Sequence, residues 1–210
     1  MTSTNSTLKP IYNSQLNSFF NYFEHIFEIK ASFQSISTQI FKVDFDLLFN
    51  INAIQPINQS LYSNKKIEFR RSSFHIDKPK RHHELWKHTC LECFLKPQND
   101  NIYYEINVNA EGFWNIYQFT NYRENMQEST HIKILDFQRL SKVKSANEIN
   151  LKFNLIFESQ FTLTNLDFSL NAVIENMLIK DSNQNLDYYA IKHSQSKPDF
   201  HHFNNFIPMK

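Results

Sequence analysis

The stretch Phe41-Lys42-Val43-Asp44-Phe45-Asp46-Leu47-Leu48-Phe49 puts an apolar side chain at every odd position and mostly charged ones between. Successive side chains of a β-strand point to opposite faces, so this period of two describes a strand with one face in a core and the other in water. On its N-terminal side Phe27-Glu28-Ile29-Lys30-Ala31-Ser32-Phe33 repeats the pattern, and far downstream Leu151-Lys152-Phe153-Asn154-Leu155-Ile156-Phe157 does so again. Shorter strands are expected over residues 66–69, 88–95, 103–108, 114–119, 132–137, 168–174 and 188–193. Short strands separated by polar turns, with no sustained helical period, predict an all-β fold. The expected architecture is a two-sheet antiparallel β-sandwich, with an immunoglobulin-like sandwich as the fallback topology. One domain over residues 20–206 accounts for the pattern, with a flexible N-terminal arm over 1–19 and a tail over 207–210.

A chain of 210 residues can bury enough surface to fold without a disulfide or metal staple. Its 22 basic and 21 acidic side chains give a net charge of +1, which supplies no general attraction to nucleic acid or to an anionic membrane. The basic run Lys78-Pro79-Lys80-Arg81-His82-His83 is short and reads as a solvated loop. No apolar run is long enough to span a bilayer, and the N-terminus lacks a basic region followed by an apolar one, so the expected location is cytoplasmic.

Cys90 and Cys93 form a C-x-x-C, the spacing of redox sites and of half a zinc site. Here it lies in a strand-like run, where residues three apart face opposite ways, so the two thiols are expected to be reduced and inert packing elements. Asp199, His201 and His202 sit in a Pro-containing segment without partners at helical spacing. They read as a cap folding back over the sandwich in preference to a metal site, and no cofactor is expected.

Three segments carry candidate chemistry. Strand alternation through Leu85-Trp86-Lys87-His88-Thr89-Cys90-Leu91-Glu92 puts Trp86, His88 and Glu92 on one face. An indole that stacks on the C–H face of a sugar, beside a carboxylate that accepts hydroxyl hydrogen bonds, makes a polyol site. In Tyr103-Tyr104-Glu105-Ile106-Asn107-Val108, Glu105 and Asn107 share a face. The following turn holds Gly112, the chain's one glycine, and predicts a hairpin into Gly112-Phe113-Trp114-Asn115-Ile116-Tyr117. Arg123 follows that hairpin, placed to pair with Glu92 or Glu105 or to reach a ligand with its planar fork. The alternative reading of the same residues is a buried polar network that satisfies itself, in a structural or protein-interaction domain.

Read in order, Leu-Trp-x-His-Thr-Cys-x-Glu (85–92), Tyr-x-Glu-x-Asn (103–107), Trp-Asn-x-Tyr-x-Phe-x-x-Tyr-Arg (114–123), Tyr-x-Ala-Ile-x-His (188–193) and Lys-Pro-Asp-Phe-His (197–201) resemble the bacterial DOMON-like domains related to family 9 carbohydrate-binding modules. The resemblance runs from about Phe20 to Phe206. It implies a jelly-roll-like sandwich with a ligand held between aromatic side chains and by a Glu. Trp86 and Glu92 match such a Trp and Glu, and the second aromatic falls on Tyr189. The wider superfamily also holds haem-binding domains, but His88 has no evident opposite axial ligand.

The expected function is therefore non-catalytic binding of a carbohydrate or similar polar ligand through Trp86, His88, Glu92, Glu105, Asn107, Arg123 and Tyr189. A glycosidase-like use of the Glu92 and Glu105 pair is the less favoured enzymatic reading.

Overall fold

The computed structural model describes residues 11–15, 17–18, 27–50, 74–75, 79–145, 148–175 and 186–209. In chain order the strands are β1 (Ile11–Gln15), β2 (Asn17–Ser18), β3 (Phe27–Ser35), β4 (Ile40–Asn50) and β5 (Phe74–His75). Next come β6 (Lys80–Arg81), β7 (Cys90–Pro97), β8 (Tyr103–Val108), β9 (Phe113–Phe119) and β10 (Gln127–Glu128). The last are β11 (Ile132–Ser145), β12 (Glu148–Ser159), β13 (Leu166–Glu175), β14 (Leu186–Ala190) and β15 (Ile207–Pro208). One sheet has the order β1-β3-β4-β12-β11-β5; the other runs β10-β9-β8-β7-β13-β14-β2, with β15 also on β13 and β6 beside β9. All these pairings are antiparallel except β6 with β9, so the expected antiparallel β-sandwich is what the chain forms.

The alternating stretch over residues 41–49 explains the first sheet. In the β4–β12 register Phe41 faces Phe157, Val43 faces Leu155, Phe45 faces Phe153 and Leu47 faces Leu151, all buried. The residues between them look outward, where Lys152 pairs with Asp46 at 2.9 Å. The second sheet presents Leu91, Cys93, Leu95, Ile106, Phe168 and Leu170 to this apolar face. The Phe33 and Phe168 rings stack between the sheets with centroids 4.7 Å apart. In the β8–β9 hairpin, Gly112 takes φ 88°, a conformation glycine adopts without steric cost. The Asn109 side-chain oxygen accepts from the Glu111 and Phe113 N–H groups and fixes the turn.

The second sheet differs from a half-solvated strand array because both of its faces are covered. Every residue of β8 is buried: Tyr104, Ile106 and Val108 against the first sheet, Tyr103, Glu105 and Asn107 on the outer side. The outer side carries a second apolar cluster that includes Cys90, Phe94, Tyr103, Tyr117, Phe119, Phe200 and Phe206. The C-terminal segment thus caps the sheet, as its sequence suggests. Cys90 belongs to this outer cluster and Cys93 to the inter-sheet core, so the free thiols lie on opposite faces of β7.

Some boundaries depart from expectation. Within residues 1–19, read as a flexible arm, β1 and β2 pair with β3 and β14. Within 207–210, read as a tail, β15 pairs with β13. The strand expected over 66–69 lies outside the described residues. The strand expected from His88 begins at Cys90, because Leu85–Lys87 forms a 3-10 turn.

Candidate functional site

Register on the outer face of the second sheet sets side chains in rows. Asn171 of β13, Glu92 of β7, Asn107 of β8 and Asn115 of β9 are consecutive partners across four strands. One pleat along lie Ser169, Phe94, Glu105 and Tyr117. Glu92 and Glu105 are therefore diagonal neighbours on one face, a relation that puts side chains within about 7–8 Å of each other.

Both carboxyls form the floor of a cavity of ≈ 750 Å³ whose walls include Trp86, Phe119, Val173, Tyr188 and Phe200. Arg123, Met126 and Lys197 are exposed at its rim. Trp86 reaches the cavity from the 3-10 turn, which buried Leu85 anchors, and meets Tyr117 edge-on at 5.4 Å. Glu84, which opens that turn, and Arg123 both hold φ in the left-handed region, at 59° and 55°. Such conformations are uncommon outside glycine and here flank one cavity.

The cap closes the cavity from the side. Asp199 accepts hydrogen bonds from Arg123 Nη2 at 2.9 Å and from the Tyr122 hydroxyl at 2.7 Å. Burial pushes Asp199 up, but these hydrogen bonds and the guanidinium charge hold its carboxyl below the usual range. The Tyr103 hydroxyl accepts from the Arg123 N–H at 3.1 Å and lies 2.8 Å from His201 Nδ1. His201 Nε2 faces Glu105 Oε2 at 3.7 Å, too far for a hydrogen bond. Burial, then the Arg123 charge, depresses the His201 pKa to about 3, so the ring is neutral and makes no ion pair with Glu105.

Desolvation dominates the two floor carboxyls. Burial raises Glu105 to about 7, opposed by the Asn107 Nδ2 hydrogen bond at 2.7 Å and by Arg123. Glu92 is raised well above the carboxylate range by burial and then by the Glu105 charge, with Arg123 opposing. At neutral pH the floor is consequently rich in protonated carboxyl, able to donate as well as accept.

Of the residues expected at the site, Trp86, Glu92, Glu105 and Arg123 line the cavity together. Asn107 is fully buried and supports Glu105 from beneath. Two expectations are corrected. His88 is exposed and not among the lining residues: the turn over Leu85–Lys87 breaks the alternation that would have aligned it with Glu92. Tyr189 is 3% exposed and packs in the inter-sheet core, whereas Tyr188, paired with Val173, faces the cavity. Arg123, expected to pair with Glu92 or Glu105 or to reach a ligand, is bonded to Asp199 at the cavity rim. Sequence reasoning missed Phe119, Val173, Tyr188, Phe200 and His201; the Lys197-Pro198-Asp199-Phe200-His201 motif was the one signal for the last two. Among the described residues, no group of three or more His, Cys, Asp or Glu is placed to hold a metal.

No family model matches the chain, and no curated protein does. Among solved structures it is similar to the crystal structure of a "putative carbohydrate-binding protein" from Bacteroides uniformis, with a TM-score of 0.59 and 13% sequence identity. The match covers 93% of this chain and 84% of that one, and at such low identity it shows a shared fold alone.

Proposed function

We propose that the cavity binds a carbohydrate or a similar polyol without transforming it. The observation that carries this reading is the meeting of Trp86, Tyr188, Glu92 and Glu105 around one cavity large enough for a small ligand. The aromatic rings offer faces to the C–H side of a sugar ring, and the floor carboxyls bond its hydroxyls. The resemblance to DOMON-like domains related to family 9 carbohydrate-binding modules belongs to this proposal, since Trp86, Glu92, Arg123 and His201 all fall within its motifs. The fold neighbour's description points the same way.

Calorimetric titration with a panel of monosaccharides and short oligosaccharides tests the reading, alongside Trp86→Ala. Trp86 is half-buried at the cavity wall, so the variant is expected to lose tenfold or more in affinity with a melting temperature within a few degrees of wild type. A second reading, a structural polar network, is favoured by the near-complete burial of Glu92 and Glu105. It would be supported if no sugar shifts the melting temperature and Trp86→Ala costs roughly 3–5 kcal/mol, as truncating a core Trp does.

A further inference from the structure

Within the cavity just described, and resting on its reading as a polyol site, we infer that the preferred ligand is an amino sugar whose protonated amine sits between Glu92 and Glu105. The geometry leaves two acidic side chains, 2% and 4% exposed, on one cavity floor. A buried carboxylate is normally matched by a buried cation or by several donors. Here Arg123 is joined to Asp199, and Lys197 stands exposed at the rim. The Asn107 side chain serves Glu105, while among the described residues no side chain is hydrogen-bonded to the Glu92 carboxyl. The floor therefore has an excess of acid over base that a ligand can complete.

The walls agree with a cationic guest. Trp86, Tyr188 and Phe119 surround the floor with aromatic rings, whose faces attract an ammonium group. An ammonium with three donors can bridge two carboxylates that are diagonal neighbours. A sugar ring carrying it would lie against the indole, consistent with the polyol reading.

This arrangement couples binding to protons. Without ligand, burial keeps protons on the floor acids. The groups facing them are Arg123 from the turn after β9, Asp199 and neutral His201 from the cap, and Tyr103, Cys90 and Tyr188 from β8, β7 and β14. The phenols and the thiol are all pushed up by burial, so among these groups Glu105, raised to about 7, titrates nearest neutrality. An arriving –NH3⁺ stabilises the ionised forms of the floor acids, and each acid that ionises releases one proton to the buffer.

The test is calorimetry at pH 7.5 with D-glucosamine, D-galactosamine and D-mannosamine, each beside its N-acetyl derivative and parent hexose, in two buffers of different ionisation enthalpy. At least one free-amine sugar is expected to bind tenfold or more tightly than its N-acetyl and parent forms, with proton release. Glu92→Gln and Glu105→Gln, which keep the side-chain shape, are each expected to reduce that preference several-fold. A parent hexose binding as tightly as its amine overturns the inference and leaves the polyol reading standing. Choline binding as tightly as the best amino sugar overturns the sugar part. If none of the nine sugars binds, the amino-sugar inference falls, and the polyol reading rests on the oligosaccharides of the wider panel.

Discussion

Replacing Phe168 by Ala is expected to cost about 3–5 kcal/mol, the range for truncating a fully buried aromatic residue. For a chain of this length that corresponds to a melting temperature lower by roughly 6–20 °C. Phe168 is 0% exposed and sits on β13 in the middle of the second sheet. Its ring stacks on Phe33 of β3, so it is one of the contacts by which the two sheets hold each other. Deleting it leaves a cavity that rigid sheets on either side cannot collapse to fill. The matched control is Leu135→Ala: Leu135 is 51% exposed at an irregularity in the β11–β12 register, and its loss is expected to change stability by no more than about 0.5 kcal/mol. Urea denaturation of both variants makes the comparison. A Phe168→Ala loss below about 1 kcal/mol would mean that the inter-sheet stack is not where the sandwich is held.

Glu92→Gln is expected to stabilise the protein, increasingly so as the pH rises. The folded-state pKa of Glu92 is raised, so the folded protein holds this proton more tightly than the unfolded chain does. Stability linked to Glu92 is therefore present below its unfolded pKa of about 4.3 and is lost progressively as pH climbs from there toward the raised folded-state pKa. His201 acts in the opposite sense between about 3 and 6.5: the unfolded chain binds the proton and the folded one does not, so stability rises with pH there. The wild-type profile mixes these slopes with that of Glu105. The difference between Glu92→Gln and wild type isolates one of them. It should be small at pH 4 and grow steadily as the pH rises above the unfolded pKa, because each tenfold tighter hold on the proton is worth about 1.4 kcal/mol. Thermal denaturation at four or five pH values is sufficient. A variant less stable than wild type at pH 8 would show that the carboxylate is paired, and would remove the argument for an acidic floor.

The sandwich was legible because its first sheet obeys a simple rule: the alternation in residues 41–49 and 151–157 survives intact as the β4–β12 register. Sequence period fails where a face is covered by something distant. In Tyr103-Tyr104-Glu105-Ile106-Asn107-Val108 the polar alternate residues suggest a wet face, yet the cap seals it and makes Glu105 and Asn107 buried groups. Trp86 and Glu92 line one cavity, but not by the route that the sequence pattern suggests. Their parity argument assumed one continuous strand, and a 3-10 turn intervenes, which is why Trp86 arrives at the cavity and His88 does not. The Tyr188 and Tyr189 pair shows a different limit. Adjacent tyrosines on a strand are equivalent until pairing is known, and only the register with Val173 and Ala172 assigns one to the cavity and the other to the core.

The cap's attachments join residues far apart in the chain: Tyr103 to His201 across 98 positions, Tyr122 and Arg123 to Asp199 across 77 and 76. The β4–β12 pairing closes a loop at least as long, but along a whole strand, whereas the cap is held by a few side-chain bonds. The cap is therefore expected to open before the sheets do. Asp199→Asn should speed unfolding while leaving the refolding rate unchanged, as stopped-flow chevron arms would record, and an equal slowing of refolding would place the cap in the nucleus instead. For a molecule bound as proposed above, opening of the cap at the Arg123–Asp199 pair is expected to contribute to its release.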